Sequence, residues 1–244
     1  MKTAAIIQAR MGSSRLPGKM LMPLAGRPAI QWVFERASRI EGIQHVLVAT
    51  TVSPKDDTLA AYCEAHAIPV FRGSENDVLD RYHHAAQSLQ ADVVMRITGD
   101  CPLLDPVESA KVLALFLQTP GADYASNVHP PFLPDGLDTE VVLVKTLQQV
   151  WREIHEPMTR EHVTYFIDHH PELFHLVAVT GTENLSHHRW TLDYKEDYTL
   201  LAAIADELKQ RGQFGSLHEI LGVLRDRPEL VKLNQHIERN DGMT

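Results

Sequence analysis

Cysteine is scarce in this chain, which has two cysteines, Cys63 and Cys101, among 244 residues. Two cysteines cannot form the disulfide framework of a small secreted domain, and neither lies in a spacing typical of a zinc site. The sequence also lacks any apolar run near the ~18 residues that a membrane span needs, and its first residues do not resemble a signal peptide. We therefore expect a cytoplasmic protein that does not associate with a membrane.

The chain also has few basic residues compared with acidic ones. It contains 23 Lys and Arg residues and 32 Asp and Glu residues, which give a formal net charge of −9. A protein this acidic is not expected to bind nucleic acid through a general basic face. The few cations are unevenly placed, since no acidic residue precedes Glu35. The segment before it holds Lys2, Arg10, Arg15, Lys19 and Arg27. This distribution predicts a local site for a small polyanion near the amino terminus.

Apolar, β-branched segments alternate with helical patterns through the first half of the chain. Strands are predicted at residues 3–9, 45–51, 68–73 and 92–98, and helices at 28–40, 55–67, 76–89 and 106–118. Strands joined by crossover helices predict an α/β fold with a Rossmann-like, doubly wound sheet that is mixed but mostly parallel. An apolar content of 44% is enough to build the core of one domain, which we place at residues 1–244.

The pattern becomes less regular after residue 120. Strands are predicted at 124–127, 138–144, 175–180 and 189–193, and helices near 145–155, 160–170 and 195–211. We expect a smaller strand-rich arm or lid at about residues 126–185. Because ligands of open α/β sheets bind beyond the carboxyl ends of the strands, the segments that follow predicted strands are the candidates for a site.

The loop after the first strand, in "IIQARMGSSRLPGK" (6–19), is the first such candidate. Gly12, Ser13 and Ser14 can direct backbone N–H groups at phosphate oxygens, while Arg10, Arg15 and Lys19 can supply charge. The loop is not a P-loop, because five residues separate its glycines and a methionine follows the lysine. A solvated surface turn explains the loop equally well when it is considered alone.

Asp100 is a second candidate, because "TGDCPLLDP" places it just past a predicted buried strand. A carboxylate there can hold a hard divalent cation such as Mg²⁺ alongside substrate phosphates. An ordinary turn is the alternative, since Gly, Asp and Pro are common turn residues. Asp105 and Asp197 are expected to begin the helices that follow them.

Histidine is abundant, with fourteen residues including three adjacent pairs. Adjacent histidines point in different directions on a helix or a strand, so the pairs are poor chelators. We expect them on the solvated surface rather than at a zinc ion.

The opening loop as a whole resembles the amino-terminal motif of the cytidylyltransferases that activate acidic sugars. The A-R-x-G-S-x-R-x-P-x-K spacing is matched by Ala9, Arg10, Gly12, Ser13, Arg15, Pro17 and Lys19. The family includes the 3-deoxy-manno-octulosonate and acylneuraminate cytidylyltransferases, and the resemblance is strongest to the spore-coat-polysaccharide-type cytidylyltransferase-like proteins. It extends through most of the chain, more loosely after residue 120, in "LVATT", "VFRGSENDVLDRY", "RITGDCPLLDP" and "RWTLDYKEDY".

This resemblance implies a fold of the nucleotide-diphospho-sugar transferase type, CTP as a substrate, Mg²⁺ as the cofactor and a homodimer. Catalysis is implied for Arg10, Arg15, Lys19 and Asp100. Metal binding is implied for Asp100 and Asp193. Nucleotide binding is implied for Gln8, Ala9, Arg10, Gly12, Ser13, Ser14, Arg15, Lys19, Thr50, Arg72 and Ser74. The chain departs from the octulosonate enzymes at Cys101, where their metal turn carries an acid.

Two further segments correspond to regions that lie over the acceptor sugar in the family. "LPDGLDTEVV" (133–142) contains Asp138 and Glu140, and "MTREHVTYFI" (158–167) contains Arg160 and His162 at a predicted helix start. Asp138 and Glu140 are expected to bind sugar hydroxyls, and Arg160 or His162 a sugar carboxylate. A helix cap with solvated charges explains the second segment equally well.

The sequence therefore predicts a nucleotidyltransferase that moves CMP from CTP to an acidic sugar or a related acceptor and releases pyrophosphate. It would serve the biosynthesis of a cell-surface polysaccharide or glycoconjugate. Two alternatives remain: a glycosyltransferase that uses a nucleotide sugar, and a nucleotide-binding regulator without catalysis. The D-x-D motif with which such glycosyltransferases hold metal is missing, because "DGLD" has one residue too many.

Overall fold

A central β-sheet organises the protein in the computed structural model, which describes residues 1–239. The strands of this part of the chain are β1 (Thr3–Gln8), β2 (Pro23–Leu24), β3 (Arg27–Pro28), β4 (His45–Thr51), β5 (Val70–Gly73), β6 (Val93–Thr98), β7 (Tyr124–Ser126), β8 (Glu140–Leu143) and β9 (Leu176–Ala178). Seven of them form one sheet in the order β5-β4-β1-β6-β8-β7-β9, and β2 pairs with β3 in a small antiparallel sheet. In the large sheet β8 is antiparallel to both neighbours, and the other adjacent pairs are parallel.

Helices connect these strands in the predicted alternation. They are α1 (Ala29–Ala37), α2 (Asp57–Ala65), α3 (Val78–Ser88), α4 (Pro106–Gln118), α5 (Val144–Glu153), α6 (Pro157–His162), α7 (Tyr165–Asp168), α8 (Lys195–Arg211) and α9 (Leu217–Asp226). Local chemistry sets their ends: the Asp105 side chain accepts the backbone N–H of Val107 at 2.8 Å and so caps α4, as predicted. Helix α8 stops at Gly212, which has the left-handed φ of 64° that favours glycine.

The central strands are buried on both faces, which is why they consist of continuous apolar runs. Along β1, Ala5 and Ile7 pack into one core with α1, α2 and α4, whereas Ala4 and Ile6 pack into a second core with α3 and α5. Each isoleucine is fully buried and contributes about 1.5–3 kcal/mol relative to an exposed one. The doubly wound, mixed and mostly parallel sheet predicted from the sequence is confirmed.

A third apolar cluster joins the carboxyl-terminal helices to loops at the carboxyl edge of the sheet. It contains Trp190 and Leu192 from the segment before α8, Leu103 from the loop after β6, and Leu16 from the loop after β1. Residues of α8 and α9 complete it. This cluster holds the loops that follow β1 and β6 against the segment that leads into α8.

The structure corrects two predicted elements of the second half. Residues 189–193 form no strand. Arg189 makes an isolated bridge to Asp135, because backbone hydrogen bonds and the Arg189–Asp135 ion pair join this segment to the 133–138 loop rather than to the sheet. The helix predicted at 160–170 is divided into α6 and α7, because Val163 has a φ of 53° that interrupts helical geometry.

The strands predicted in the arm belong to the main sheet. Strand β8 lies between β6 and β7, and β9 forms the sheet's edge. Val141 and Val142 of β8 are at most 1% exposed, a burial that a solvated arm could not provide. The use of residues 126–185 as a lid stays a prediction.

Candidate active site

The opening loop folds back on itself after β1. The carbonyl of Met11 accepts the N–H groups of Ser13 (3.0 Å) and Gly18 (3.2 Å), and this closes the loop. Gly18 has a left-handed φ of 76°, after which a short 3₁₀ helix begins at Lys19. The turn buries Lys19, which is 7% exposed. The alternative of a solvated surface turn is therefore wrong for Lys19, whose side chain is buried after the turn at Gly18.

Lys19 brings the two predicted metal ligands together. Its Nζ lies 2.8 Å from Oδ2 of Asp100 and 2.9 Å from Oδ1 of Asp193. Arg15 reaches the same place, with one guanidinium nitrogen 3.0 Å from Oδ1 of Asp193. Arg10 lies apart from this group on the exposed surface, 3.5 Å from the carboxylate of Glu161 in α6. Three of the four predicted catalytic residues thus form one cluster.

The charges of the cluster stabilise one another. Burial opposes ionisation of Asp100, but the ammonium of Lys19 lowers the pKa of this carboxyl to about 2. Burial also opposes the charge of Lys19, yet Asp100 and Asp193 raise the pKa of its ammonium above the usual value. At neutral pH the cluster therefore holds a charged lysine between two carboxylates.

The donor chemistry of this cluster fits a magnesium ion. Two carboxylates that converge on one cation position offer the hard oxygen ligands that Mg²⁺ prefers, and substrate phosphates and waters usually complete its shell. Within residues 1–239 no group of three or more His, Cys, Asp or Glu side chains is arranged to hold a metal by itself. A site here would therefore depend on oxygens supplied by the nucleotide.

Close packing of two turns aligns Asp100 with the opening loop. The N–H of Gly99 donates to the carbonyl of Gln8 at 2.8 Å. A Cβ at Gly99 would lie 2.9 Å from the sulfur of Met20 and 3.0 Å from Cβ of Ala9, so a larger residue would require these neighbours to shift. The glycine before the aspartate thus lets the two loops pack closely.

Arg189 is a central residue of the site that the sequence did not indicate. Its guanidinium lies 2.8 Å from Asp135, 3.1 Å from Asp193 and 3.1 Å from Asp197. Asp197 also accepts the N–H groups of Asp193 and Tyr194 at 3.0 Å each, so it lies in the first turn of α8 and caps that helix, at the helix start where it was predicted. Arg189 thereby fixes the position of the Asp193 carboxylate.

The Asp135-Gly136 turn contained a local signal for the contact between Asp135 and Arg189. Gly136 has a φ of 106°, and a Cβ there would lie 2.7 Å from the carbonyl carbon of Trp190. The turn therefore approaches the 189–192 segment so closely that only glycine fits. The residue type shows that some close approach is required, but it does not show which segment is approached.

A cleft of about 600 Å³ opens beside the cluster. Predicted residues along it are Arg15, Asp100, Asp138, Glu140, His162 and Asp193. Residues along it that the sequence did not indicate include Arg96, Thr98, His129, Asp135, Asp168, Arg189, Tyr194 and Arg239. Residues predicted to bind the nucleotide and residues predicted to bind the acceptor thus line one cleft.

Two acidic side chains predicted to bind the acceptor are paired with arginines. Burial raises the pKa of Asp138 to about 6, although Arg239 pairs with it and opposes the shift. Glu140 is also buried, but its ion pair with Arg96 holds the pKa of this carboxyl below the usual range. Asp138 is therefore the more readily protonated of the two acids.

Arg160 does not reach the cleft. Its Nε donates to Oδ2 of Asp77 at 2.8 Å, and another guanidinium nitrogen donates to the carbonyl of Trp151 at 2.9 Å. These contacts join α6 to the start of α3 and to α5. Arg160 thus connects structural elements. It does not match the alternative of a solvated charge at a helix start, because its side chain is 17% exposed and lies in the last turn of α6.

The predicted nucleotide ligands outside the opening loop fall into two groups. Arg72 donates to the carbonyl of Thr51 (2.8 Å) and to Asp57 (2.7 Å), and Ser74 accepts the N–H of Asp77 (3.1 Å), so both serve local structure. Gln8 and Thr50 differ, because Oε1 of Gln8 and Oγ1 of Thr50 are buried without a hydrogen-bond partner in the described chain. Buried polar atoms are normally paired, but neither residue lines the cleft described above, so their role in nucleotide binding stays a prediction.

A cation-bearing loop and two converging carboxylates at the carboxyl edge of a doubly wound sheet define a protein of the nucleotidyltransferase type. The family described as cytidylyltransferase matches residues 4–220, and this chain belongs to that family of enzymes. No helix in the described part of the chain is both long and apolar enough to cross a membrane.

Similar proteins cover most of the molecule. The spore coat polysaccharide biosynthesis protein SpsF of Bacillus subtilis is 34% identical over 232 residues, which are 92% of this chain and 94% of SpsF. The structure of a cytidylyltransferase from Leptospira borgpetersenii has a TM-score of 0.90 and 29% identity, and the match covers 98% of this chain and 100% of that one. An 8-amino-3,8-dideoxy-manno-octulosonate cytidylyltransferase of Shewanella baltica is 39% identical over 126 residues, half of each chain.

Proposed function

We propose that this enzyme transfers CMP from CTP to a hydroxyl of an acidic sugar or a related acceptor and releases pyrophosphate. The observation that carries this proposal is the cluster of Lys19, Arg15, Asp100 and Asp193 beside the cleft. The names of two relatives, a spore coat polysaccharide protein and a sugar-acid cytidylyltransferase, support a role in cell-surface polysaccharide or glycoconjugate biosynthesis.

On the nucleotide side, the opening loop would bind the triphosphate. Lys19 and Arg15 carry the charge, and the loop backbone at Gly12, Ser13 and Ser14 can donate hydrogen bonds to phosphate oxygens. Arg10, on the exposed side of the loop, can rotate toward the β- and γ-phosphates. Catalysis would consist mainly of positioning the α-phosphorus and stabilising the departing pyrophosphate.

Asp100 and Asp193 would hold a magnesium ion, which when bound supplies charge neutralisation at the phosphates. Lys19 contacts both carboxylates and keeps them close together before substrate arrives. Arg189 holds the other oxygen of Asp193 at 3.1 Å and so restricts the rotation of that carboxylate. These residues orient the ligand oxygens in advance, which reduces the ordering required during binding.

On the acceptor side, Asp138 and Glu140 would accept hydrogen bonds from sugar hydroxyls, and His162 would lie near the acceptor carboxylate. Arg96 and the Thr164 hydroxyl both hold Glu140, which fixes its orientation. Burial lowers the pKa of His162, so this side chain enters the reaction chiefly as a neutral hydrogen-bond donor.

A pyrophosphate-release screen tests the proposal. Four nucleoside triphosphates are crossed with a panel of acidic sugars, with and without Mg²⁺. We expect release only with CTP, an acceptor and the metal. Tight CTP binding without turnover would favour a regulator, and cleavage of a nucleotide sugar in place of CTP would favour a glycosyltransferase.

The proposal includes a homodimer in the cytoplasm. Light scattering coupled to gel filtration measures the mass in solution, and a mass near 27.4 kDa, that of one chain, would contradict the dimer. Fractionation of cells that express the chain tests its location.

A further inference from the structure

A histidine and an aspartate form a pair in the wall of the cleft that Asp100 and Asp193 also line. Nε2 of His129 lies 2.8 Å from Oδ2 of Asp168. The histidine lies in the loop after β7 and the aspartate ends α7. The side chain of His129 is 62% exposed, whereas that of Asp168 is 13% exposed. A reactive ring is thus accessible to substrate while its carboxylate partner is shielded.

The pair lies where two cavities adjoin. His129 and Asp168 line both the 600 Å³ cleft and a neighbouring cavity of about 350 Å³, whose other walls include Tyr124, Ser126 and Val177. A sugar that extends from the cleft into the second cavity would pass the imidazole.

Other titratable groups near the pair already have partners. Nδ1 of His169 lies 3.6 Å from Asp168 but hydrogen-bonds to the carbonyl of Tyr165 at 2.8 Å, and its ring stacks on the Tyr165 ring. Glu140 is held by Arg96, by the Tyr124 hydroxyl and by the Thr164 hydroxyl. His129 uses Nε2 toward Asp168, which leaves Nδ1 as the ring atom that can accept a proton.

We propose that His129 is the general base of the CMP transfer and that Asp168 is the residue that positions it. This inference rests on the proposed function. A carboxylate hydrogen-bonded to one ring nitrogen selects the tautomer in which the other nitrogen is a base, and it stabilises the imidazolium that forms. Burial raises the pKa of Asp168 while the neighbouring imidazole opposes the shift, so the two groups interact directly.

The proposed step conserves atoms and charge. Nδ1 of His129 takes the proton of the acceptor hydroxyl, and the oxygen's electron pair forms a bond to the α-phosphorus. The bond from this phosphorus to the oxygen that bridges to the β-phosphate breaks, and pyrophosphate leaves with that electron pair. The imidazolium then returns its proton to solvent.

The test uses the full chain with CTP, Mg²⁺ and either 3-deoxy-manno-octulosonate or its 8-amino analogue, whichever gives the faster turnover. In His129→Gln we expect kcat to fall about 10²–10⁴-fold, the usual contribution of a general base. The dissociation constant for CTP should stay unchanged. The decrease of kcat/KM toward acidic pH, which reports protonation of the base, should disappear.

The Asp168→Asn variant tests whether Asp168 positions the His129 imidazole or only stabilises the local structure. We expect a smaller loss of kcat and an acidic limb displaced to lower pH, because the imidazolium loses its carboxylate partner. The double variant should lose no more than His129→Gln alone, since the two residues act as a unit. His170→Gln is the control, because His170 is bound to the Phe166 carbonyl and ring outside the cleft.

The outcomes separate this inference from the function on which it rests. If the unsubstituted enzyme turns over and His129→Gln retains its kcat and its acidic limb, the general-base assignment is wrong. If Asp168→Asn loses activity with no displacement of the pH profile, the positioning role is wrong. If the unsubstituted enzyme turns over no acceptor, the proposed function itself fails.

Discussion

At the scale of single residues, the lysine between two carboxylates is the central feature of the site. Buried charges are costly to desolvate, and a buried ion pair often adds no net stability compared with apolar side chains. Lys19, Asp100 and Asp193 therefore do not need to be explained as a folding device. Their value lies in holding a positive charge and two oxygen ligands at the place where a nucleotide would bind.

Lys19→Met should destabilise the protein and increase the stabilisation that Mg²⁺ provides. The variant leaves two carboxylates facing each other without the ammonium, so we expect the free energy of unfolding to fall by about 1–3 kcal/mol. Mg²⁺ alone should restore more stability to the variant than to the unsubstituted protein, because the ion replaces the lost charge. Thermal unfolding with and without Mg²⁺ measures this difference, and equal Mg²⁺ effects on both proteins would contradict it.

Asp100→Asn and Asp193→Asn should lower kcat by about 10²–10³-fold each, on the scale of losing one strong transition-state stabiliser. Asparagine keeps the size of the side chain but removes a charged oxygen ligand. Steady-state kinetics at increasing Mg²⁺ concentration measure the loss. Asp206→Asn on the exposed surface of α8 is the control, and a kcat near that of the control in both variants would exclude a two-carboxylate mechanism.

At the scale of elements, the break between α6 and α7 shapes the acceptor end of the cleft. Val163, fully buried with a φ of 53°, separates the two helices. His162 ends α6 and Thr164 precedes α7, and both line the cleft. A continuous helix would rotate these neighbours away from each other, so the strained residue allows both to face the ligand.

His162→Ala and Asp138→Asn should raise the KM of the acceptor while the affinity for CTP changes little. Both residues line the acceptor side of the cleft, and neither contacts Lys19 or Arg15 among the interactions described above. Arg160→Ala is the comparison, since it should reduce stability through its contacts with Asp77 and leave the acceptor KM unchanged. Equal losses of affinity for CTP and for the acceptor would show that this segment is wrongly assigned.

At the scale of the whole molecule, Asn234 and Arg239 from the last described residues bind side chains and loops of the site. The amide of Asn234, which is 2% exposed, donates to the carbonyl of Arg189 at 2.9 Å and to Oδ1 of Asp197 at 2.8 Å. Arg239 pairs with Asp138 and donates to the carbonyl of Leu133 at 3.0 Å. Residues close to the end of the described chain thus hold loops from its middle.

Asn234→Ala should destabilise the protein and weaken catalysis together. The change leaves the buried carbonyl of Arg189 and an oxygen of Asp197 without this donor, which costs about 1–3 kcal/mol. Urea denaturation measures the stability. The kcat value reports whether Arg189 still holds the Asp193 carboxylate in place. Asn184→Ala, in an exposed loop, is the control. Lost stability with an unchanged kcat would show that the segment supports the fold alone.

Much of the architecture followed from local sequence patterns. The strands and crossover helices of the first half, the caps at Asp105 and Asp197, and the loop that carries Lys19 were all predicted from residues close together in the chain. Such features depend on the alternation of apolar side chains and on a few neighbouring hydrogen bonds. The sequence by itself therefore determined the class of fold and the edge of the sheet at which a site forms.

Only the tertiary structure decided which side chains meet at that edge. Lys19 contacts Asp193 across 174 positions of sequence, and Arg189 contacts Asp135 across 54 positions. The burial of Lys19, the separation of Arg160 from the cleft and the pairing of His129 with Asp168 have no local pattern that specifies them. They arise because packing of the apolar clusters places distant loops side by side. Charged residues on these loops then pair with oppositely charged residues that have become their neighbours.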